Sequence, residues 1–374
     1  MTTLYSSKAN YLLFLVPLSV VASKQQWNSV SVFALSFLAI FPLAELLSWS
    51  TEQLAKSTGQ IIGGLLNATF GNAVEMIVGV TALIGNEFQV VQASMVGSIL
   101  SGTLLIFGST LFVAGYRTEE VKFNMDMTSI MSSLMIVSSA SLIIPTASYF
   151  ADMGAGSDIP SSNDYILDLS HVAALLLFAF YIIYLIFQLR THASIFASSN
   201  EEEGDPELDL WAASFVLILA TVGVSVCSDG LVDSIDETVE QLGVSRAFIG
   251  LILVPIVGNA GEFVATIHQA RKDNVDFAIS MIVGATLQIA LFVTPVLVLL
   301  GWIINRPMSL KFDTFQTTVL AMSVIVVNCL VRDGRSNYFE GFLLLGTYLI
   351  VAIAFYVKKD PQEILASVQA VLDL

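Results

Sequence analysis

Eleven stretches of this 374-residue chain are each apolar over roughly the length of a bilayer crossing, and no other feature restricts the fold so severely. A membrane helix needs about 20 mostly apolar residues. The stretches lie near 9–24, 28–50, 60–86, 93–115, 127–148, 169–189, 211–231, 247–271, 276–303, 313–331 and 338–357. Backbone polar groups in hydrocarbon must be satisfied within their own segment, so stretches of this kind form helices. The predicted fold class is all-α: a polytopic membrane protein of about 11 transmembrane helices. The composition excludes the soluble alternatives. Only 12% of residues are charged and the mean hydropathy is +0.79, whereas a soluble domain carries about 25% charged residues. A soluble enzyme, a disordered chain and a nucleic-acid binder are all ruled out. The net charge of −16 further opposes phosphate backbones as partners.

The first stretch is the weakest, with Pro17 inside it and Lys8 ahead of it, and a cleaved signal peptide is its rival reading. The connections are short. The longest, 190–210, holds the sharpest charge run: Glu201, Glu202, Glu203, Asp205, Glu207 and Asp209. It reads either as a self-repelling solvated linker or as a cation-sensing segment at the membrane face. With a cytoplasmic N-terminus, nine basic residues fall in inside segments and six in outside segments. That lean places the acidic linker in the cytoplasm and the C-terminus outside.

A repeat divides the chain. Gly71-Asn72-Ala73-Val74-Glu75 returns 187 residues later as Gly258-Asn259-Ala260-Gly261-Glu262. The match extends back to Ile62-Gly63 with Ile249-Gly250, and forward to Val96-Gly97 with Val283-Gly284. The copies begin the third and eighth stretches. Five crossings separate them, so they traverse the membrane in opposite directions. Inverted repeats are a transporter construction, with the site near the midplane where the repeats meet. The expected segments are an extra first helix (1–27), a first five-helix repeat (28–189), the acidic linker (190–210), a second five-helix repeat (211–357) and a tail (358–374).

Glu75 lies 15 residues after the start of its stretch and 11 before its end; Glu262 lies 15 after and 9 before. Both therefore sit near mid-bilayer, where a carboxylate costs a few kcal/mol and marks function by default. The glycine before each weakens the helix, and a loosened turn exposes carbonyl oxygens beside the asparagine amide. Carboxylate and amide oxygens suit Ca2+, with poorer fits to Mg2+ or Mn2+. Without a cation, two close carboxylates in low dielectric cannot both stay ionised, so they take up protons. One divalent cation and two protons are then interchangeable occupants. No nucleophile pattern accompanies the glutamates. His171, His192 and His268 are scattered, and Cys227 and Cys329 read as packing residues. A further acidic stripe, Asp229, Asp233, Asp236, Glu237 and Glu240, recurs at helical spacing and reads as a solvated helix end or a cation vestibule.

The run Gly63-Gly64-Leu65-Leu66-Asn67-Ala68-Thr69-Phe70-Gly71-Asn72-Ala73-Val74-Glu75 resembles the first signature of the calcium/proton exchangers, a branch of the Ca2+:cation antiporter superfamily. Pro255-Ile256-Val257-Gly258-Asn259-Ala260-Gly261-Glu262 resembles the second. The runs beginning Gly97-Ser98 and Gly284-Ala285 resemble the family segments C-terminal to each signature. The resemblance implies a secondary antiporter that exchanges Ca2+ for H+ and removes Ca2+ from the cytoplasm. It implies metal and proton binding at Glu75 and Glu262, with Asn72, Asn259, Ser98 and Gln288 in support. It places Glu52 where the family has a gating or proton-path glutamate. No cofactor is implied, and no enzymatic activity. The expected partners are Ca2+, protons and the lipid bilayer, with no nucleic acid and with homo-oligomerisation left open. The expected location is the plasma membrane of a prokaryote or the vacuolar membrane of a eukaryote, and the short N-terminus favours the former. A Na+-coupled or broader divalent-cation exchanger is the close alternative, and an intramembrane enzyme the distant one. Gly102, Gly261, Phe263 and Val264 depart from the family pattern, where asparagine, alanine and histidine are common.

Overall fold

Two connecting turns at opposite ends of the helices fix which loops share a membrane face. The computed structural model describes residues 8–116, 118–154, 162–196 and 206–358. A 3-10 turn, Lys8–Phe14, leads into α1 (Leu15–Lys24). Helix α2 (Ser29–Thr58) comes next, capped by Asn28, whose side chain accepts from the Val30 amide. Gly59, at φ +83°, turns the chain into α3 (Gln60–Phe70). Only glycine takes that conformation without steric cost. The reversal seats Gly63 directly on the Ala55 carbonyl of α2.

Helix α4 (Ala73–Ile84) completes the third crossing, bent by 42° from α3. Then come α5 (Phe88–Leu100), a π-helical turn (Ser101–Ile106) and α6 (Phe107–Gly115) as one crossing. Strand β1 (Val121–Lys122), α7 (Met125–Gly154), α8 (Ser162–Ile186) and the short α9 (Ala193–Phe196) end the first half.

The second half opens with α10 (Leu210–Asp233), capped by Asp209, and α11 (Ile235–Leu242). The eighth crossing is built from α12 (Arg246–Phe248), a π-turn (Ile249–Leu253), α13 (Val254–Gly258) and α14 (Ala260–Arg271). Next are α15 (Val275–Gln288), a π-turn (Ile289–Val293) and α16 (Thr294–Ile303). Helix α17 (Thr314–Val331), strand β2 (Arg335–Ser336) and α18 (Tyr338–Val357) close the chain.

Among the described residues, eight helices are long and apolar enough to span a membrane, the number reaches ten if each of two bent pairs is one span, and Tyr11–Lys24 is a shorter apolar helix. The protein is a polytopic helical membrane protein. Contacts between turns establish the alternation. On one face Gln53 accepts from the Glu207 amide (2.8 Å), Asp276 accepts from the Asn124 amide (2.6 Å), and β1 pairs with β2. This is the linker face. On the far face Asn28 bonds Gln241 (3.1 Å), Arg306 donates to Asn86 (2.5 Å), and Lys358 pairs with Asp313 (2.8 Å). Helix α3 therefore enters from the linker face and α12 from the far face, and the repeats are inverted.

Burial separates an inner layer from an outer one. The most apolar window of the α5–α6 crossing is 83% buried and that of α15–α16 is 78% buried, against 22% for α8 and 28% for α10 and α18. The outer helices present Leu175, Ile183, Phe215, Ile218 and Ile350 to the surroundings, as lipid-facing helices do. Helix α1 docks on α2 through a Ser19–Ser36 hydroxyl pair at 2.8 Å. Cys227 is buried, but Cys329 is exposed on α17 and is not a packing residue.

The two halves do not pack alike. Gly97 of α5 lies against the Leu251 carbonyl, and Gly250 lies against Val90 and Ala93 of α5. Small residues allow this backbone approach. The repeat-related pair is α15 with α3. There Gly284 has only the tip of Met131 nearby, at 3.9 Å, while Ile62, Leu65, Asn67 and Thr69 of α3 are exposed. The far-face side of the bundle thus has a backbone-to-backbone contact that the equivalent linker-face pair lacks.

That contact predicts a mutational contrast. Gly97→Val should lower thermal stability in detergent by about 3 kcal/mol, the upper end of overpacking costs, because a carbonyl cannot rotate away. Gly346→Ala, with nothing within 4 Å, should be neutral or stabilising by up to about 1 kcal/mol. Thermal unfolding of both variants measures the difference.

Candidate functional site

Each repeat breaks its helix at the signature asparagine. Asn72 (φ −107°, ψ 27°) separates α3 from α4, and Asn259 (φ −83°, ψ 9°) separates α13 from α14. Asparagine before a helix usually caps it with its side chain. Neither does so here. Both side chains are buried and turned to the interior. Glu75 and Glu262 come in the first turn of α4 and α14. The positive end of each helix dipole favours a negative charge at that position.

The breaks bring the two repeats together. Asn72 donates through Nδ2 to Gln288 Oε1 at 2.5 Å, joining the first repeat to the second. Glu75 lies against Gly258: a methyl group on that glycine would be 2.6 Å from Glu75 Oε1. Gly258 is four residues, about one helical turn, before Glu262. Glu75 is 4% exposed, while Glu262 is half-buried. Glu75 Oε2, Asn72 Oδ1, Asn259 Nδ2 and Ser98 Oγ are all buried without a hydrogen-bond partner in the protein. Buried polar atoms are nearly always bonded, and these four belong to the two signature segments and the helix that follows the first of them. Three of these atoms are carboxylate, amide and hydroxyl oxygens, and the fourth, Asn259 Nδ2, is an amide nitrogen. Such a set holds a hard divalent cation, or protons on its carboxylates.

The structure thus gathers Glu75, Asn72, Asn259 and Gln288 from the two repeats, with Ser98 buried on the neighbouring α5. The repeat offset also pairs Gln288 with Ser101, a residue that the signature motifs do not single out. Ser101 is fully buried and opens the π-turn that matches the one after Gln288. The 187-residue offset alone is enough to identify it. π-turns inside helices often occur at functional positions. At Gly102 the place of a side chain is taken by the Thr286 hydroxyl of the other repeat, so that departure is compensated locally.

Other expected residues lie elsewhere. Glu52 is exposed near the linker-face end of α2, paired with Lys56 at 2.7 Å. Glu207 donates its amide to Gln53, and Asp209 caps α10, accepting from Ala212. Glu201, Glu202, Glu203 and Asp205 fall outside the described residues. The acidic stripe lies toward the far face. Arg246 there bonds Asp236 and faces Glu87 at 3.7 Å, tying the start of the eighth crossing to the α4–α5 turn. Burial, and then the Asp236 charge, push the Glu87 carboxyl above its usual range, against the pull of Arg246.

This site rests on motifs that recur in known proteins. The description "sodium/calcium exchanger protein" fits residues 28–190 and 212–357. The chain belongs to the sodium/calcium exchanger family. It is 42% identical over 358 residues to the vacuolar calcium ion transporter of Schizosaccharomyces pombe, covering 95% of this chain and 86% of that one. It is 37% identical over 368 residues to a Ca(2+)/H(+) antiporter of Aphanothece halophytica, covering 94% and 97%. Among solved structures of this exchanger family, the Ca2+/H+ antiporter protein YfkE matches with a TM-score of 0.80 at 34% identity, over 93% of this chain and 100% of that one.

The Gly258 contact generates a test. Gly258→Ala should fold but displace the Glu75 carboxylate. Thermal stabilisation by added Ca2+ should then need at least about tenfold more ion, equivalent to about 1.4 kcal/mol. Thermal shift titrations of wild type and variant decide it.

Proposed function

We propose that this exchanger-family member moves Ca2+ out of the cytoplasm in exchange for protons, with Glu75 and Glu262 as the carboxylates that alternate between the two. The observation that carries this reading is the pair of repeat-related, membrane-depth glutamates, each at the start of a broken helix, with Glu75 lying against Gly258 of the other signature. The relatives named as Ca2+/H+ antiporters support the same exchange.

The chemistry is a matter of charge balance. A doubly ionised pair in hydrocarbon is the expensive state. Ca2+ neutralises it, and so do two protons. Each neutral form can be carried between facings, while the empty charged form cannot cross cheaply. Ca2+ and protons therefore move in opposite directions without any covalent step, and the protein acts as a transporter rather than an enzyme. Asn72 and Gln288 tie the repeats and present amide oxygens to the ion. Asn259 and Ser98, both buried, supply further polar atoms.

Alternating access uses the asymmetry of the fold. The far-face side is closed where Gly97 meets Leu251 and where Arg246 joins Glu87 and Asp236. On the linker-face side the equivalent pair, α3 and α15, has no such contact at Gly284. With the linker in the cytoplasm, this arrangement receives Ca2+ from the cytoplasm. Rocking the pairs α3–α15 and α5–α12 in opposite senses would close one route and open the other.

Proteoliposomes with an acidic interior should accumulate Ca2+ in the absence of Na+. Uptake should stop when the pH gradient is collapsed. In Glu75→Gln and Glu262→Gln it should fall to the level of protein-free vesicles, because glutamine cannot exchange a proton. Uptake driven only by an internal Na+ load would assign the chain to sodium coupling and overturn proton exchange.

A further inference from the structure

The two helix breaks are not held alike. At the second, the Asn259 amide donates to the Pro255 carbonyl at 3.0 Å, so the helical bond into the break survives. The repeat-related residues are Asn72 and Ala68, by the same offset of 187 positions. Among the described residues, the Asn72 amide makes no backbone bond to Ala68. The Asn72 backbone (φ −107°, ψ 27°) also lies farther from helical values than that of Asn259 (φ −83°, ψ 9°). The first break has lost the bond that the second keeps, and the buried Ala68 is left with a carbonyl that no helical amide serves.

A side chain of α8 supplies the missing donor. The Tyr181 hydroxyl donates to the Ala68 carbonyl at 3.0 Å, and both residues are buried. A carbonyl without a partner at membrane depth is costly, and the hydroxyl replaces the donor that the break removed. One turn earlier on the same face of α3, Gly64 lies against the Leu189 side chain, in the π-turn that continues α8. Helix α3 thus rests on the α8 crossing through Gly64 and Ala68.

The tyrosine is also keyed to the other repeat. Its ring stacks on Phe292, with centroids 4.8 Å apart and an interplanar angle of 21°. Phe292 belongs to the π-turn Ile289–Val293 and comes four residues after Gln288. Gln288 in turn accepts from the Asn72 side chain, and Asn72 comes four residues after Ala68. Tyr181, Phe292, Gln288, Asn72 and Ala68 therefore close a circuit through both repeats. Tyr184, one turn further along α8, provides the contrast: it is buried too, but its hydroxyl has no hydrogen-bond partner.

We propose that Tyr181 is a positioning residue for the ion site: its hydroxyl holds the first break open, so that the Asn72 side chain stays on Gln288. Without the hydroxyl, the Asn72 amide returns to the Ala68 carbonyl, as Asn259 does to Pro255. That backbone shift carries the Asn72 side chain off Gln288 and weakens ion binding. Tyr181 acts through Asn72 and is not itself an ion ligand. This role rests on the reading above that the site binds Ca2+.

Tyr181→Phe keeps the ring and its stack on Phe292 and removes only the hydroxyl. In thermal shift titrations it should need at least about threefold more Ca2+ than wild type for the same stabilisation, as expected for one lost hydrogen bond between membrane helices. The KM for Ca2+ in proteoliposome uptake should rise in parallel, while turnover at saturating Ca2+ stays close to wild type. Tyr184→Phe should match wild type in both measurements. On an Asn72→Ala background, Tyr181→Phe should raise the Ca2+ requirement no further, because the group that it positions is gone. A wild-type Ca2+ requirement in Tyr181→Phe, even with a lower melting temperature, would overturn the proposal and leave the bond a structural one. An equal rise in Tyr184→Phe, or a full further rise on the Asn72→Ala background, would overturn it as well. If Tyr181→Phe does not fold, Phe292→Leu, which keeps the hydroxyl but removes the ring that steadies it, should raise the KM, and a wild-type KM there would overturn the proposal. Wild type that Ca2+ neither stabilises nor crosses with would remove the ion-binding reading itself, whatever the variants do.

Discussion

Everything in this protein is arranged around the cost of holding carboxylates in hydrocarbon. Glu75 and Glu262 each begin a helix, where the dipole favours a negative charge, and the Asn72–Gln288 bond joins the two repeats beside the first of them. That requirement explains the broken helices. A continuous helix would consume its own backbone groups and leave no turn at which an asparagine could face inward. It also explains the glycines. Gly258 leaves room for the Glu75 carboxylate, and Gly261 lets α14 approach α2 closely at Ala44 and Ser48.

The same cost supplies the coupling. An ion pair of fixed charge would sit permanently in such a site, whereas a carboxylate pair must always hold something. Protons and a divalent cation satisfy it equally in charge and differ in size, coordination and origin. Exchange then needs no energy source other than the two gradients, provided that the charged empty state stays confined to one facing. The close contact at Gly97 and the ion pairs of Arg246 hold the far face together, and Gly284 on the linker-face side has no equivalent contact. The asymmetry lies in packing and not in sequence, since the two repeats carry equivalent motifs.

A large part of this is legible in the chain itself. The eleven apolar stretches, the 187-residue offset and the five crossings between the copies lead to an inverted-repeat membrane protein without any tertiary information. Glu75 and Glu262 emerge from the same arithmetic. Ser101 is equally accessible through the offset to Gln288, but the motif at Gly97-Ser98 draws the eye three residues earlier. Tyr181 is not accessible. It lies outside both signatures, and a tyrosine within a long apolar helix does not reveal which way it faces.

The number of crossings, the inversion and the pair of glutamates are written in the amino-acid order, because hydrophobic length and backbone hydrogen bonding leave a membrane chain few alternatives. Which polar atoms meet was settled by packing alone. Packing joined Asn72 to Gln288 across 216 positions, placed Gly258 under Glu75, left Glu52 exposed beside Lys56 and brought the Tyr181 hydroxyl to the Ala68 carbonyl. Those relations depend on how far each helix slides and turns against its neighbour. Helix sliding is governed by close contacts at single glycines, and periodicity along one helix carries no record of them.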